Sequence, residues 1–100
     1  MNDYKVLISP VAQNDFLGII EYLATLAPEE AVQYFERFLG EAETLRATPK
    51  NCPFARDSQL RLRGYRVLAT EDYLFFFIMS AGTVEIRRIL HAGRQYDRLT

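Results

Sequence analysis

The chain has 100 residues, of which 49% are hydrophobic and 25% are charged, and its formal net charge is −1. This length and composition are typical of one globular domain spanning residues 1–100 and argue against disorder. Cys52 is the only cysteine, which excludes a disulfide framework, and the chain lacks a signal-peptide pattern and a membrane-length apolar run. We therefore expect a cytoplasmic protein.

The N-terminal half predicts a strand followed by two helices. Residues 4–8 are rich in β-prone side chains, and Ser9-Pro10 provides an N-cap and a first helical residue. Pro28 ends the first helix and opens the second, which stops before Pro49. The apolar residues expected to face the core recur at helical spacing. They are Ala12, Phe16, Ile19, Ile20, Leu23 and Leu26 in the first helix, and Ala31, Phe35, Phe38, Ala42 and Leu45 in the second.

The C-terminal half predicts a loop and three strands. Residues 50–59 form the loop, and the strands cover residues 63–69, 73–79 and 84–90. Gly64 is expected either to bend the first of these strands or to permit the close approach of another segment. Turns this short require antiparallel neighbours, and the wholly apolar second run belongs in the centre of the sheet. The β-α-α-β-β-β order predicts a two-layer α+β fold, an antiparallel sheet with a helical hairpin on one face. No element remains to cover the other face.

The charges are distributed unevenly along the chain. Residues 1–50 have a net charge of −4, whereas residues 51–100 have a net charge of +3 from eight arginines and no lysine. The planar guanidinium suits carboxylate and phosphate contacts. These arginines either form a solvated sheet face or bind a partner, and an uncovered arginine-rich face on so small a domain is where a partner is expected.

The sequence contains no strong enzyme motif. It lacks a phosphate loop, a dinucleotide fingerprint, a nucleophile elbow and a paired-histidine metal motif, which argues against a small-molecule enzyme. His91, the only histidine, could act as an acid or base, or could hydrogen-bond the backbone where the last strand ends. Strand alternation places Arg88 on the same face as Ile86 and Leu90, unless a bulge at Arg87-Arg88 shifts the register.

Residues 86–96 read Ile-Arg-Arg-Ile-Leu-His-Ala-Gly-Arg-Gln-Tyr, and Gly64-Tyr65-Arg66 and the aromatic strand precede them. Together these segments resemble the RelE/ParE toxin superfamily. The opening strand, the helical hairpin and the proline-containing loop follow the order of that family over nearly the whole chain. The closing segment departs from the family at Ala92-Gly93, where Gly-Arg is more usual, and at Gln95, where Asp is common. The resemblance implies a growth-arresting toxin of a type II toxin–antitoxin (plasmid stabilisation) system, neutralised by a cognate antitoxin and needing no cofactor or metal.

The resemblance leaves two targets open. RelE-like members cut mRNA on the ribosome, which would assign Arg66, His91 and Arg94 to catalysis, whereas ParE-like members bind and poison DNA gyrase. Leu68 stands where RelE-like members carry a second basic residue. Such members also place an arginine before the apolar strand, and the segment that ends at Phe75 has no arginine there. The pI of about 5.8 also suits a ribosome-binding protein poorly. We therefore favour a gyrase inhibitor over an mRNA endoribonuclease, with a family member that poisons nothing as a third option.

Two surfaces are predicted for partners. The antitoxin is expected to place acidic groups against arginines of the sheet region, namely Arg61, Arg63, Arg87 and Arg88. The target is expected to contact the short polar tail through Arg94, Tyr96 and Arg98, because arginine and tyrosine are common at binding hot spots. No small-molecule substrate and no membrane partner are expected.

Overall fold

The helices and strands follow the predicted order, with two short additions, a 3₁₀ turn and a one-turn helix. The computed structural model describes residues 3–71 and 73–91. Its elements are β1 (Lys5–Ile8), α1 (Pro10–Leu26), α2 (Pro28–Ala47), a 3₁₀ turn (Pro49–Asn51), α3 (Ser58–Leu62), β2 (Arg66–Ala69), β3 (Tyr73–Ser80) and β4 (Thr83–His91). The short α3 lies where a loop was predicted. No helix among the described residues is both long enough and apolar enough to cross a membrane.

The four strands form one sheet in the order β1-β4-β3-β2. The pairings β2–β3 and β3–β4 are antiparallel, as the short turns predict. The first strand joins beside the last one and runs parallel to it. The middle run is central as predicted, and Tyr73, Phe75 and Phe77 are fully buried against the helices.

Local chemistry sets the ends of the helical hairpin. The Ser9 hydroxyl accepts a hydrogen bond from the Ala12 N–H (3.1 Å), and Pro10 begins α1. Pro28 begins α2, whose first turn carries two glutamates and whose last turn carries Arg46, the arrangement that the helix dipole favours. The predicted boundaries are thus confirmed.

The buried face of α2 differs by one residue from the prediction. Tyr34 is 4% exposed, whereas Phe35, predicted for the core, is 45% exposed. The Tyr34 ring packs edge-on against Tyr73 at 4.3 Å, and the Tyr73 hydroxyl donates to the Tyr34 carbonyl (2.7 Å). Phe35 instead lies beside Phe16 of α1, with ring centroids 5.7 Å apart. Leu26, also predicted for the core, is 66% exposed where α1 ends.

A β-bulge in β4 changes which side chains face the helices. Phe76 lies opposite Arg88 but Phe77 lies opposite Ile86, so Arg87 is an extra residue in β4. Of the two alternatives that the sequence left open for Arg88, the structure has the bulge. Arg88 therefore does not share the face of Ile86, and Ile89, which is 1% exposed, takes the core position instead.

The strand predicted over residues 63–69 begins only at Arg66. Residues 63–65 turn out of α3, and Gly64 adopts φ +86°, a left-handed conformation that glycine tolerates. The preceding loop runs along the free edge of β2. The Val67 N–H donates to the Pro53 carbonyl (3.0 Å), and the Ala55 N–H donates to the Tyr65 carbonyl (2.9 Å).

Candidate functional site

The face of the sheet opposite the helices carries a groove with an apolar floor. Leu74 and Phe76 point to this face by register, yet they are only 7% and 6% exposed. They line a groove of about 870 Å³ together with Ala55, Leu60 and Val67. The segment between α2 and β2 therefore forms one wall of this groove, and the expectation that nothing covers this face is wrong here.

Arg61 and Arg63 lie at the end of α3, beside this groove. Both are exposed, and neither makes a side-chain hydrogen bond or ion pair with another residue in 3–71 or 73–91. The backbone that carries them is held in place, because the Asp57 carboxylate accepts from the Leu60 N–H (3.0 Å) and the Leu60 carbonyl accepts from the Tyr65 N–H (3.0 Å). These two arginines are available to an acidic partner.

Arg87 and Arg88 are engaged within the protein. The Arg87 Nε lies 2.6 Å from the Glu85 Oε1, and this hydrogen bond raises the pKa of Arg87. Arg88 binds Asp15 of α1 through two contacts, Nε–Oδ2 at 2.7 Å and Nη2–Oδ1 at 3.1 Å, and the hydrogen bond to Asp15 raises the pKa of Arg88. Of the four arginines predicted for antitoxin binding, Arg61 and Arg63 are thus open, whereas Arg87 and Arg88 are engaged with acidic side chains of the same chain.

Arg66, a candidate catalytic residue, holds the loop that contains Cys52 and Phe54 against β2. Its Nη1 donates to the Cys52 carbonyl (2.7 Å), and its guanidinium lies 4.0 Å from the centroid of the Phe54 ring. Cation–π stacking of this kind fixes the guanidinium plane. These contacts assign Arg66 a structural role in the described part of the chain.

His91, the second candidate, lies at the opposite corner of the sheet. Its ring stacks on Tyr34, with centroids 5.7 Å apart and an interplanar angle of 5°. Arg66 lies opposite Phe77, whereas His91 lies opposite Tyr73. With strands about 4.8 Å apart and a rise of about 3.3 Å per residue, the backbones of Arg66 and His91 are about 16 Å apart. The structure does not bring these two side chains together.

The remaining candidates lie outside the described residues. They are Arg94, Tyr96 and Arg98. Among residues 3–71 and 73–91, no three potential metal-ligating side chains form a cluster.

Two side chains of these sites were missed by sequence reasoning. Asp15 lies between apolar positions of α1, and only its partner on β4 reveals its role. Phe54 follows a loop proline, and its cation–π contact with Arg66 joins two segments that no sequence pattern links.

Comparison with known proteins agrees with this architecture. The chain matches the family model of the ParE toxin of the type II toxin–antitoxin system, parDE, over residues 6–96. A chain from the chromosomal ParDE toxin–antitoxin system of P. aeruginosa superposes with a TM-score of 0.73 at 18% identity, covering 88% of this chain and 95% of that one. A chain from the RelBE2 toxin–antitoxin complex of Mycobacterium tuberculosis superposes with a TM-score of 0.59 at 22% identity, covering 91% of this chain and 93% of that one. A search of curated protein sequences found no match.

The fold is therefore that of the RelE/ParE superfamily, which confirms the resemblance seen in the sequence. The family match covers most of the chain, and the protein belongs to the ParE toxins of type II toxin–antitoxin systems.

Proposed function

We propose that this toxin arrests growth by binding DNA gyrase in the cytoplasm, without cutting RNA. The observation that carries this proposal is the separation of Arg66 and His91, which is about 16 Å from strand geometry. In a nuclease, a cationic Arg66 on the phosphate and His91 as an acid would each have to come within about 2.6–3.2 Å of the same phosphodiester. The match to the ParE family favours the same target.

The positions that distinguish the nuclease branch support this proposal. Leu68 packs against the core, and Phe75 is fully buried. Neither position presents a cation to RNA. Arg66 is already bonded to a carbonyl and stacked on a phenyl ring, so it would have to leave both to bind a phosphate.

A cognate antitoxin is the second part of the proposal. Both superposed chains come from structures described as toxin–antitoxin systems. Arg61 and Arg63 are exposed beside a groove with an apolar floor, a combination that suits an acidic segment bearing apolar side chains. Arg87 and Arg88 are also exposed enough to contribute, at 43% and 38% of their side chains. The polar tail, with Arg94, Tyr96 and Arg98, is our choice for the gyrase contact.

The test is a pair of assays on the purified toxin. Gyrase supercoiling and ribosome-dependent mRNA cleavage are measured for the parent chain, Arg94→Ala and His91→Gln. We expect inhibition of supercoiling by the parent, its loss in Arg94→Ala and its retention in His91→Gln. Cleavage of mRNA by the parent, lost in His91→Gln or Arg66→Ala variants that remain folded, would instead make the protein a RelE-like mRNA interferase.

A further inference from the structure

The short helix α3 ends in an exposed leucine between two arginines. Leu62 is 87% exposed, and it lies between Arg61 and Arg63, whose side chains make no hydrogen bond or ion pair in the described part of the chain. The backbone at this point is fixed, because the Gly64 N–H donates to the Arg61 carbonyl (2.9 Å). Leu60, two positions earlier, lines the groove, so Leu62 points away from it. We call Arg61, Leu62 and Arg63 the α3 tip.

The outer face of the helical hairpin carries a row of exposed apolar side chains. Leu17 of α1 is 55% exposed, and Val32 and Leu39 of α2 are 59% and 50% exposed. Phe35, one turn from each of these α2 residues, is 45% exposed and contacts Phe16 of α1, so the row follows the seam between the two helices. Contiguous exposed apolar side chains mark an interaction surface. We call Leu17, Val32, Phe35 and Leu39 the seam patch.

Glutamates border the seam patch on both helices. On α2, Glu29, Glu36 and Glu43 recur every seven residues and form one row, and the last two each follow a member of the patch by four residues. On α1, Glu21 lies one turn after the patch residue of that helix. Residues 10–47 contain seven acidic residues and two arginines, a net charge of −5. The seam patch is therefore an apolar row with an acidic border.

We propose that the seam patch of one toxin molecule binds the α3 tip of a second copy of the toxin. Leu62 of one copy contacts Phe35 and Leu39 of the other, which removes apolar surface of both copies from water. The arginines on either side of Leu62 then face the glutamates that border the patch. The charges carry this assignment, because each surface is apolar at its centre and charged at its border, and the two borders have opposite signs.

The same charges exclude a symmetric contact. A pair of hairpins would bring Glu21 and Glu36 of one copy towards the same residues of the other, and a pair of α3 tips would oppose arginines, so both arrangements are unfavourable. The α3 tip lies beside the groove on the sheet face opposite the helices, so the two surfaces are on opposite sides of the molecule. Each head-to-tail pair leaves one tip and one patch uncovered, and further copies can add in an open chain.

Self-association and neutralisation use the same two arginines. Arg61 and Arg63 are also proposed above for the antitoxin, so an antitoxin bound there covers the α3 tip and dissociates the chain of toxin molecules. This consequence alone rests on the proposed function. Self-association itself is a property of the toxin without its antitoxin.

The test is sedimentation velocity of the whole toxin, separated from its antitoxin, between about 10 μM and about 1 mM. Leu62→Asp removes the apolar centre of the α3 tip, and Leu39→Asp places a charge in the seam patch. Leu26→Asp is the matched control, because Leu26 is 66% exposed and lies roughly 180° around the α1 axis from Leu17. The unfolding midpoint of each variant shows that it is folded.

We expect the parent to grow beyond a dimer as its concentration rises, and to associate more weakly at about 300 mM than at about 50 mM salt. Leu62→Asp and Leu39→Asp should each lose at least about tenfold in association constant, and Leu26→Asp should stay within about twofold of the parent. An equimolar mixture of Leu62→Asp and Leu39→Asp should form a dimer and nothing larger. In that mixture the first variant supplies the only intact seam patch and the second supplies the only intact α3 tip.

A parent that stays monomeric up to about 1 mM would overturn this proposal, as would a mixture of the two variants that stays monomeric. Parent-like association of Leu62→Asp together with its loss in Leu39→Asp would indicate a symmetric pairing of hairpins, and would also overturn it. A parent chain that causes no growth arrest would count against the proposed function instead, because arrest is not a readout of this test.

Discussion

The carboxylate of Asp15 binds both the Arg88 guanidinium and the backbone N–H of Ile89, with the Ile89 N–H···Oδ2 distance at 3.0 Å. Pairing of β1 with β4 ends at Ile86, and within residues 3–71 and 73–91 no strand lies beside that edge of β4 beyond Ile86. Asp15 reaches that edge from α1 and satisfies a backbone donor there. One side chain thus joins the hairpin to the sheet and blocks further strand pairing at Ile89.

Removing this carboxylate should weaken the joint between α1 and β4. We expect Asp15→Ala to lower the free energy of unfolding by about 2 kcal/mol, since it leaves a backbone donor and a guanidinium without their acceptor. The Asp15–Arg88 ion pair contributes little to this free energy, because the Arg88 side chain is 38% exposed and solvent screens the attraction. Urea unfolding measures the effect, with Glu21→Gln as an exposed control on the same helix. Equal stability of Asp15→Ala and that control would contradict the assigned role.

The open and engaged arginines should respond differently to substitution. Arg61→Glu and Arg63→Glu should leave the unfolding midpoint unchanged and weaken antitoxin binding, because neither arginine has a side-chain partner among the described residues. Arg88→Ala should lower stability, because it removes the Asp15 contact. Thermal unfolding and antitoxin titration on the same samples separate these outcomes. Unchanged antitoxin affinity and salt dependence in Arg61→Glu with Arg63→Glu would remove them from the proposed surface.

The buried thiol of Cys52 should make alkaline stability depend on pH. Burial raises the pKa of Cys52 above its ordinary value of 9.0. The folded state therefore holds its proton more tightly, so this contribution to stability is complete below pH 9.0 and is lost as the pH rises through the folded pKa. Unfolding free energies of the parent should fall more steeply above that pH than those of Cys52→Ala. Parallel pH profiles for the two proteins would exclude this effect.

Arg66 should act through the loop it holds rather than through chemistry. Arg66→Ala removes the bond to the Cys52 carbonyl and the stacking on Phe54, and we expect it to cost about 1–3 kcal/mol of stability. Phe54→Leu, which removes only the aromatic ring, should cost less. Growth arrest by folded Arg66→Ala should persist at a temperature well below its unfolding midpoint. Loss of arrest with unchanged stability would point to a direct role in toxicity.

The parts of the fold that local chemistry determines were predictable. Ser9-Pro10, Pro28 and Pro49 mark helix ends because proline restricts the backbone wherever it occurs. The bulge could be raised from the sequence only as an alternative, because unbroken alternation would have placed the Arg88 charge on the core face of β4. Helical periodicity could not choose between Tyr34 and Phe35, because adjacent aromatic residues differ by only about 100° around the helix. The single turn of α3 is too short to show a period.

The contacts of the candidate site were not predictable, because they join residues far apart in the chain. Asp15 and Arg88 are 73 positions apart, and no pattern in one sequence connects them. The stacking of Arg66 on Phe54 likewise depends on how the loop folds onto β2. The antitoxin and target residues remain predictions, and Arg94, Tyr96 and Arg98 lie outside the described residues.

The extra residue in β4 has a consequence for the evolution of this chain. The alternation of side chains between the two faces of β4 is interrupted at Arg87, because no residue of β3 pairs with Arg87. Deletion of Arg87 would leave Ile86 opposite Phe77 and Arg88 opposite Phe76, so Ile86 and Ile89 would both still face the helices. Natural selection can therefore remove one residue from β4 at the bulge without exposing the core. Insertions and deletions among relatives should fall at the bulge, in the loop before β2 or in the turn after β3.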